Sequence, residues 1–305
     1  MYGNILLFIA SEKGYTALRR LTTQKNTGKV GAVITFKEVD VDKSWDIDIR
    51  NECTKNGIPF YFWKDAKDRL IEIIQKNNCI CAITIAWKFL LPMKINDYLQ
   101  YPLIVFHDSL LPKYRGFAPT PTAIMCGETD IGVTAIFANA QVDEGDIVAQ
   151  KSVYVPETMY IKDVVTLQAN LCADILDEII KRIEQDNLFG VPQNEGEATY
   201  SIWRNKEDCH IDWNKPNKDI YNFIRAVGSP YPGAFTYLNN EKIYIIESEP
   251  VPGDLNFAIR DVGKIWRIID NKPEVICGNG ILRILFAKHE NGDIVYFDKV
   301  RCRLQ

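Results

Sequence analysis

His107 is one of three histidines in this chain of 305 residues, and it stands where the apolar run Leu103–Phe106 passes into a turn that contains Ser, Pro and Gly. Because imidazole titrates near neutral pH, a histidine at the end of a strand is a candidate for general acid–base catalysis. Asp143 opens the run Asp-Glu-Gly-Asp, which follows a later apolar segment by a few residues. An aspartate near a histidine can orient the imidazole, favour its cationic form or accept a proton through water.

Each of these two signals is weak when it is taken alone. A single histidine after a strand is more often a satisfied polar residue than a catalyst, and an Asp-x-Gly-Asp run is usually a turn. Their order and separation make the combination more specific. One neighbour does not fit, because the position two residues before His107, where a hydrogen-bonding amide would be useful, is Val105.

The elements that must position these residues follow from hydrophobic periodicity. The first part of the chain alternates short apolar runs with stretches of helical spacing, which predicts a parallel sheet covered on both faces. The predicted strands are Ile5–Ala10, Val30–Phe36, Pro59–Trp63, Cys79–Ile85, Leu103–Phe106 and Gly132–Ala138, and the predicted helices are Tyr15–Thr23, Ile47–Asn56, Ala66–Lys76 and Thr166–Glu184. His107 and Asp143 both follow strands, so both are expected at the carboxyl edge, where open α/β sheets bind ligands. No Gly-x-Gly-x-x-Gly follows the first strand, which argues against a nicotinamide-binding Rossmann site.

Beyond Ala234 the pattern changes to short strands separated by turn signals, which predicts a small antiparallel barrel of OB-like type. These predicted strands are Lys242–Ser248, Gly263–Ile269, Glu274–Cys277, Ile281–Lys288 and Ile294–Arg301. The expected fold class is therefore α/β. A Rossmann-like parallel-sheet domain is expected at residues 1–193, a connector with a helix at 194–233, and an OB-like β domain at 234–305.

Composition is that of an ordinary soluble protein, with 47% apolar and 25% charged residues. No apolar run approaches the ~20 residues of a membrane span. The eight cysteines form no Cys-x-x-Cys pair and, like the histidines, no metal-ligand spacing, so we expect reduced thiols, no metal and a cytoplasmic location. A net charge of −4 gives no general attraction to nucleic acid or to anionic membranes.

Three runs in the first part of the chain carry a family resemblance. HDSLLPKYRG at residues 107–116, GETDIGVT at 127–134 and DEGDIVAQ at 143–150 resemble the formyltransferases that use 10-formyltetrahydrofolate. That family includes methionyl-tRNA formyltransferase, glycinamide ribonucleotide formyltransferase and the nucleotide-sugar N-formyltransferases. Ile211-Asp212-Trp213, Ile224-Arg225-Ala226 and PYPGAF at 230–235 resemble the joint to the C-terminal barrel of the two-domain members. The likeness therefore covers nearly the whole chain, and it implies a formyltransferase catalytic domain at residues 1–193.

The resemblance implies that an amine of the substrate attacks the formyl carbon and that a tetrahedral intermediate forms. In the family, an Asn-x-His pair stabilises the oxyanion, and the His together with an Asp manages the amine proton. The histidine carries over to His107 and the aspartate to Asp143, but the asparagine falls on Val105. Three explanations stay open: a substitute donor, for which Asn139 is the nearest amide by sequence; slower catalysis by His107 alone; or binding without catalysis. Because His107, Asp143 and the intervening residues are intact, we expect retained activity.

The donor, 10-formyltetrahydrofolate, is expected beside the segment that follows the strand Cys79–Ile85. Trp87 and Leu90 lie in that segment, and with Asp146 of the acidic run they are our candidates for contact with the folate. Core packing is the more common fate of an aromatic residue such as Trp87. In the family, the pterin contacts are made largely by the backbone.

Charge guides the choice of acceptor. Family members that act on tRNA carry a basic loop after the second strand, whereas residues 35–49 here hold two lysines and five acidic residues. From Tyr200 onward the chain is nearly balanced, with 15 Lys/Arg and 14 Asp/Glu. Lys113 and Arg115 would suit a diphosphate, although both could be solvated surface charges. With Ser109 they form our candidate substrate contacts.

The sequence therefore predicts an N-formyltransferase that acts on the amine of a nucleotide-linked amino-deoxysugar, for a surface polysaccharide or glycoconjugate. No nucleic-acid partner and no membrane are expected, and the C-terminal barrel could serve a homodimer. The alternatives are methionyl-tRNA formyltransferase, disfavoured by charge, and a catalytically weakened binding homologue, favoured only by Val105.

Overall fold

The computed structural model describes residues 3–24, 29–39, 43–253 and 255–305. Asp40 and Asp42, two of the acidic residues counted above, lie outside the described residues. The chain divides into two compact units. The first comprises Met1–Pro119, Asp130–Tyr154 and Asp163–Ser201, and the second comprises Thr120–Thr129, Val155–Lys162 and Ile202–Gln305. Two short segments in the middle of the chain therefore belong to the second unit, which periodicity along the chain did not indicate.

A seven-stranded sheet forms the centre of the first unit. Its strands are β1 (Asn4–Ile9), β2 (Val30–Thr35), β3 (Phe60–Phe62), β4 (Cys79–Ile85), β5 (Ile104–His107), β7 (Asp130–Phe137) and β8 (Ile147–Tyr154). They lie in the order β3-β2-β1-β4-β5-β7-β8. The first five in that order are parallel, as predicted, whereas β7 runs antiparallel to β5 and β8 antiparallel to β7. A separate pair joins β6 (Arg115–Gly116) to β9 (Tyr200–Ser201) in parallel.

The described helices are α1 (Ser11–Thr23), α2 (Asp46–Lys55), α3 (Trp63–Ala66), α4 (Leu70–Lys76), α5 (Pro119–Met125), α6 (Ile161–Glu184) and α7 (Asn217–Val227). The single helix predicted at Ala66–Lys76 is in fact two, with a turn at residues 67–69. Among the described residues no helix is long and apolar enough to cross a bilayer.

Alternate side chains of each central strand are buried in two different apolar layers. In β4, Ile83 packs in a layer with Leu176 and Ile179 of α6, whereas Ala82 packs in the other layer with Ile73 of α4. Because both faces are covered, the strands are apolar along most of their length, which is typical of parallel sheets. This packing fixes the carboxyl end of β5, where His107 is the last residue of the strand.

The second unit contains a five-stranded antiparallel sheet. Its strands are β10 (Phe235–Leu238), β11 (Glu241–Pro250), β12 (Ile265–Ile269), β13 (Lys272–Ile276) and β14 (Ile281–His289), in the order β10-β11-β14-β13-β12. The last residues of the chain bond to both edge strands of this sheet. Gln305 exchanges backbone hydrogen bonds with Tyr237 of β10, and Cys302 O accepts from Ile265 N of β12. The predicted small antiparallel β domain is confirmed. The strand predicted at Ile294–Arg301 is wrong, since only Ile294 forms a bridge there.

Glu274 is fully buried in this sheet between two arginines. Its carboxylate lies 2.5 Å from Nε of Arg267 and 2.6 Å from Nη2 of Arg283. Burial raises the pKa of Glu274, but the hydrogen bonds from both arginines outweigh burial, so the pKa lies below its ordinary value. The buried carboxylate is therefore ionised and links β12, β13 and β14.

We expect Glu274→Gln to lower the free energy of unfolding by about 2 kcal/mol at pH 7, because the buried acceptor of the hydrogen bonds from Arg267 and Arg283 loses its charge. Because the pKa of Glu274 is lower in the folded protein than in the unfolded chain, ionised Glu274 stabilises the fold. This stabilisation is complete above the ordinary carboxyl pKa of 4.5, and it is lost as the pH falls through the folded-state pKa. Urea unfolding at pH 7 and at pH 3 should therefore show a smaller difference from wild type at pH 3. Glu290→Gln, at an exposed carboxylate, is the control. An equal difference at both pH values would contradict an ionised Glu274.

Candidate active site

His107 ends β5, where it pairs with Thr134 of β7, and its side chain is only 8% exposed. Nε2 lies 2.8 Å from the carbonyl oxygen of Tyr114, which can only accept, so Nε2 carries a hydrogen. Nδ1 lies 3.3 Å from Oδ2 of Asp143. A hydrogen bond between Nδ1 and Oδ2 requires one more proton, held either by the imidazole or by the carboxyl group. The two groups are therefore close enough to share one proton.

Asp143 reaches His107 by a route that differs from the prediction. Because β7 is antiparallel to β5, Phe137 at the end of β7 pairs with Ile104 at the start of β5. The segment after β7 thus begins at the edge of the sheet opposite His107. The loop after β7 then folds back towards the imidazole of His107. A hydrogen bond from Gly116 N to Oδ2 of Asp143, at 2.8 Å, holds it there.

The backbone around Asp143 is held in an uncommon conformation. Asp143 has a φ of 58°, in the left-handed region that few residues other than glycine adopt. The side-chain amide of Gln193 donates to the carbonyl oxygens of both Asp143 and Gly145, each at 2.8 Å. Strained residues of this kind persist only where surrounding contacts determine them, and they concentrate at functional sites.

Gly145 and Gly116 are both required by close backbone contacts. A Cβ on Gly145 would lie 1.6 Å from the carbonyl oxygen of Phe137. Gly116 has a φ of 99°, and a Cβ there would lie 2.5 Å from the carbonyl oxygen of Ser201. The two glycines therefore allow the segments that carry Asp143 and its hydrogen-bond donor to approach their neighbours.

Arg115 is fully buried, and the protein itself supplies its partners. Its guanidinium donates to both carboxylate oxygens of Glu195, at 2.7 and 2.8 Å, and to Oε1 of Gln193. Glu144 lies 3.6 Å away. The hydrogen bonds to Glu195 raise the pKa of Arg115 and lower the pKa of Glu195. This differs from the expectation of a diphosphate contact, because a guanidinium neutralised by carboxylates holds the loop together rather than facing a ligand.

Gln193 connects Arg115 to the loop of Asp143, and sequence reasoning did not single it out. We expect Gln193→Ala to lower kcat/KM about 10- to 100-fold, since a displacement of about 1 Å in a catalytic geometry can cost about 100-fold. Steady-state kinetics of the purified variant would measure this. Gln185→Ala, at an exposed position after α6, is the control. Unchanged kcat/KM in Gln193→Ala would show that the loop does not depend on this amide.

The turn after His107 is fastened by Thr134, which is fully buried on β7. Its hydroxyl donates to Ser109 O at 2.6 Å and accepts from Leu111 N at 3.1 Å and Gln150 Nε2 at 2.8 Å. Ser109 is buried, and its own hydroxyl donates to the carbonyl oxygen of Lys113 at 2.6 Å. The structure thus places Ser109 inside the turn, and a contact between Ser109 and substrate stays a prediction. Lys113 is exposed on the same turn.

An aromatic cluster follows the carboxyl ends of β2, β3 and β4. The ring centroid of Trp87 lies 5.2 Å from that of Phe36 and 5.4 Å from that of Trp63, and Phe89 stacks on Trp63. The indole Nε1 of Trp87 is buried and has no hydrogen-bond partner among the described residues. The cluster therefore combines apolar ring surfaces with one buried donor that has no partner among the described residues.

The remaining predicted site residues are exposed. The side chain of Leu90 is 92% exposed, in the segment that follows the aromatic cluster. Asp146 is exposed, and its backbone oxygen accepts from Phe137 N at 3.0 Å. Asn139 is exposed, and its Oδ1 accepts from Gln141 N in a local turn at 3.0 Å. The structure brings His107 and Asp143 together, whereas the Oδ1 atom of Asn139 bonds within its own loop. The role of Asn139 as a replacement donor stays a prediction.

The sequence of this chain matches known formyl transferases along most of its length. The sequence profile described as "Formyl transferase" matches residues 4–171, and the profile described as "Formyl transferase, C-terminal domain" matches residues 204–301. A relative from Caldanaerobacter subterraneus subsp. tengcongensis, methionyl-tRNA formyltransferase, is 31% identical over 284 residues. That match covers 92% of this chain and 86% of the relative.

Solved structures share the fold at lower sequence identity. WlaRD, described as a sugar 3N-formyl transferase in the presence of dTDP and 5-N-formyl-THF, superposes with a TM-score of 0.69 at 17% identity. The match covers 98% of this chain and 100% of that one. The N-formyltransferase from Helicobacter canadensis, in complex with folinic acid and dTDP-3-aminofucose, gives a TM-score of 0.68 at 18% identity and covers 92% and 98% of the two chains.

Proposed function

Because this chain belongs to the formyl transferase family, we propose that it moves the formyl group of 10-formyltetrahydrofolate to the amine of a nucleotide-linked amino-deoxysugar. The product would feed the synthesis of a surface polysaccharide or glycoconjugate in the cytoplasm. The proton-sharing pair of His107 and Asp143, 3.3 Å apart, supports acyl transfer to an amine.

In this reaction the amine nitrogen of the sugar attacks the formyl carbon, and the nitrogen becomes cationic as the new C–N bond forms. Oδ2 of Asp143 is held by His107 and Gly116, so the other carboxylate oxygen, Oδ1, is the atom we assign to accept the amine proton. The imidazole balances the charge of the carboxylate and shares its proton through Oδ2. Positioned proton transfer of this kind contributes about 100- to 10,000-fold to a rate.

The aromatic cluster around Trp87 supports the choice of formyl donor. A pterin is planar and carries several hydrogen-bond acceptors, and Trp87 Nε1 is a buried donor without a partner among the described residues. The cluster follows β4, the strand next to β5, on the carboxyl side of the sheet. Folate bound there would have its formyl group near His107. The protein would supply orientation and exclude water, while the donor supplies the activated formyl group.

Charge is the observation that carries the choice of a small acceptor over tRNA. The segment 35–49 has a net charge of −3, and one of its two lysines, Lys43, is paired with Asp48 at 3.1 Å. The N-terminus of α1, where an open α/β sheet can bind phosphate, is occupied by the carboxylate of Glu38, which accepts from Ser11 N. Burial raises the pKa of Glu38. These features favour a compact phosphate contact at the exposed Lys113 over an extended nucleic-acid surface.

A second candidate is methionyl-tRNA formyltransferase, and the 31% identity to such an enzyme over most of the chain is the observation that favours it. Its tRNA would have to bind despite the net charge of −3 in residues 35–49, where tRNA-binding members of the family carry a basic loop. We therefore rank it below the sugar acceptor.

One assay separates the candidates. Purified protein is incubated with 10-formyltetrahydrofolate and either a panel of nucleotide-linked amino sugars or methionine-charged initiator tRNA, and mass spectrometry detects addition of one formyl group. We expect product from an amino sugar. Formylation of tRNA alone would reverse the choice of acceptor, and the absence of product with every acceptor would favour a binding homologue.

A further inference from the structure

Thr84 is a polar residue inside the otherwise apolar strand β4, whose sequence is Cys-Ile-Cys-Ala-Ile-Thr-Ile. It is only 4% exposed. Its side chain makes no hydrogen bond within the part of the chain that the structure describes. A hydroxyl that is not committed to a partner within the protein is available to donate to a bound molecule. Thr35, a comparable buried threonine at the end of β2, differs because its hydroxyl donates to Ile9 O at 2.6 Å.

The register of the sheet places Thr84 beside the candidate active site. Thr84 pairs with Val105 on the parallel strand β5, so the two side chains lie on the same face. His107 is two residues further along β5 and therefore projects from that face as well. One strand spacing and two residues of rise separate the Cα atoms of Thr84 and His107 by about 8 Å. A carbonyl group bound over Val105 would lie between them.

The polar side chains of His107 and Thr134, which lie on the neighbouring strands of this face, already have partners. The hydroxyl of Thr134 is engaged by Ser109, Leu111 and Gln150. Both ring nitrogens of His107 face protein oxygens, one of Tyr114 and one of Asp143. Val105 has no polar group. Thr84 is thus the hydroxyl on this face that is close to His107 and uncommitted among the described residues.

We propose that the Thr84 hydroxyl donates a hydrogen bond to the formyl oxygen as that oxygen becomes an oxyanion. This role rests on the formyl-transfer function proposed above. It gives β4 a catalytic residue at the position next to Val105, as an alternative to Asn139, which is exposed in its own loop. The hydroxyl is available to substrate, because no internal hydrogen bond has to break before it can donate.

The step balances as an acyl transfer. The lone pair of the amine forms the new C–N bond, and the carbonyl π electrons move to the formyl oxygen, which Thr84 stabilises without giving up its proton. The amine proton passes to Asp143. When the oxyanion re-forms the carbonyl, the bond between the formyl carbon and N10 breaks, and N10 receives that proton. The products are the formamide and tetrahydrofolate.

The test uses Thr84→Val, which removes the hydroxyl while keeping the branched shape, and Thr84→Ser, which restores a hydroxyl. We expect Thr84→Val to lower kcat about 100-fold, the typical effect of one oxyanion donor, with a change in KM of less than about 3-fold. Thr84→Ser should stay within about 5-fold of wild type, since the donor is kept. Because the hydroxyl has no internal partner, the melting temperature of Thr84→Val should equal or exceed that of wild type. If the hydroxyl were purely structural, its removal in Thr84→Val would instead lower the melting temperature.

Two further variants make the outcome decisive. Val105→Asn in the Thr84→Val background places a new amide donor on the same face and should recover at least about 10-fold in kcat. Thr35→Val should lower the melting temperature and leave kcat nearly unchanged. A kcat for Thr84→Val within about 3-fold of wild type would overturn the proposal.

Failure of the proposed function has a different signature, because wild type itself would then transfer no formyl group to any acceptor. If tRNA is the acceptor, the same variants are compared with tRNA.

Discussion

Asp143→Asn is expected to lower kcat/KM for formyl transfer by about 1,000-fold, within the range of about 100- to 10,000-fold that positioned proton transfer contributes. Asparagine can still accept the hydrogen bond from Gly116 N through its carboxamide oxygen, so the loop should keep its conformation. It cannot take a proton from the attacking amine. Steady-state kinetics with the identified acceptor, together with thermal unfolding, would separate loss of chemistry from loss of fold.

Asp130→Asn, at an exposed position where β7 begins, is the matched control and should leave kcat/KM unchanged. His107→Ala should resemble Asp143→Asn, since the imidazole and the carboxylate share one proton. The double variant should be little worse than the poorer single variant, because residues that act as a unit are not additive. Formyl transfer at the wild-type rate by either single variant would show that the pair has no part in the reaction.

Gly145→Ala is expected to lower kcat/KM by about 100-fold, because a displacement of about 1 Å in a catalytic geometry can have that effect. The new methyl group would lie 1.6 Å from the carbonyl oxygen of Phe137, which is backbone and cannot rotate away. The loop must therefore move, and Asp143 moves with it, away from Nδ1 of His107. Unlike Asp143→Asn, this variant keeps every reactive group and changes only the position of the carboxylate.

Gly228→Ala is the control for Gly145→Ala, since its φ of −63° is open to alanine and the nearest atom to a new Cβ is 3.8 Å away. Gly145→Ala should lower the free energy of unfolding by about 1–3 kcal/mol, as overpacking does, and remain folded at room temperature. A crystal structure of the variant with an undisplaced loop, or unchanged kinetics, would contradict this account.

Several features of the molecule were predictable from local sequence signals. The parallel strands β1 to β5 are marked by apolar runs between helical stretches, and the small antiparallel domain by turn signals. The proximity of His107 and Asp143 was also predicted, but from the wrong premise that both segments end at the same edge. An apolar strand reads the same in either direction, so nothing in residues 130–137 indicates that β7 is antiparallel.

The partners of Arg115 could not be predicted, because Gln193 and Glu195 lie 78 and 80 residues away along the chain. An arginine before a glycine has the same local pattern whether its counter-ion is a ligand or the protein's own carboxylate. The segment Ile294–Arg301 has strand-like composition, yet only Ile294 pairs with a neighbour. Strand composition alone cannot show whether a sheet edge is available to receive the segment. The candidate replacement donor Thr84 emerged only from the register between β4 and β5.

The interleaving of the two compact units limits how this protein can evolve by recombination. Residues 120–129 and 155–162 belong to the second unit but are encoded within the first, and Met125 and Tyr160 pack against the core of the second unit. A single crossover near residue 201 would therefore join a new C-terminal half to two segments selected for the old one. Exchange of the second unit between relatives requires compensating changes upstream, so the two halves of the gene are expected to be inherited together.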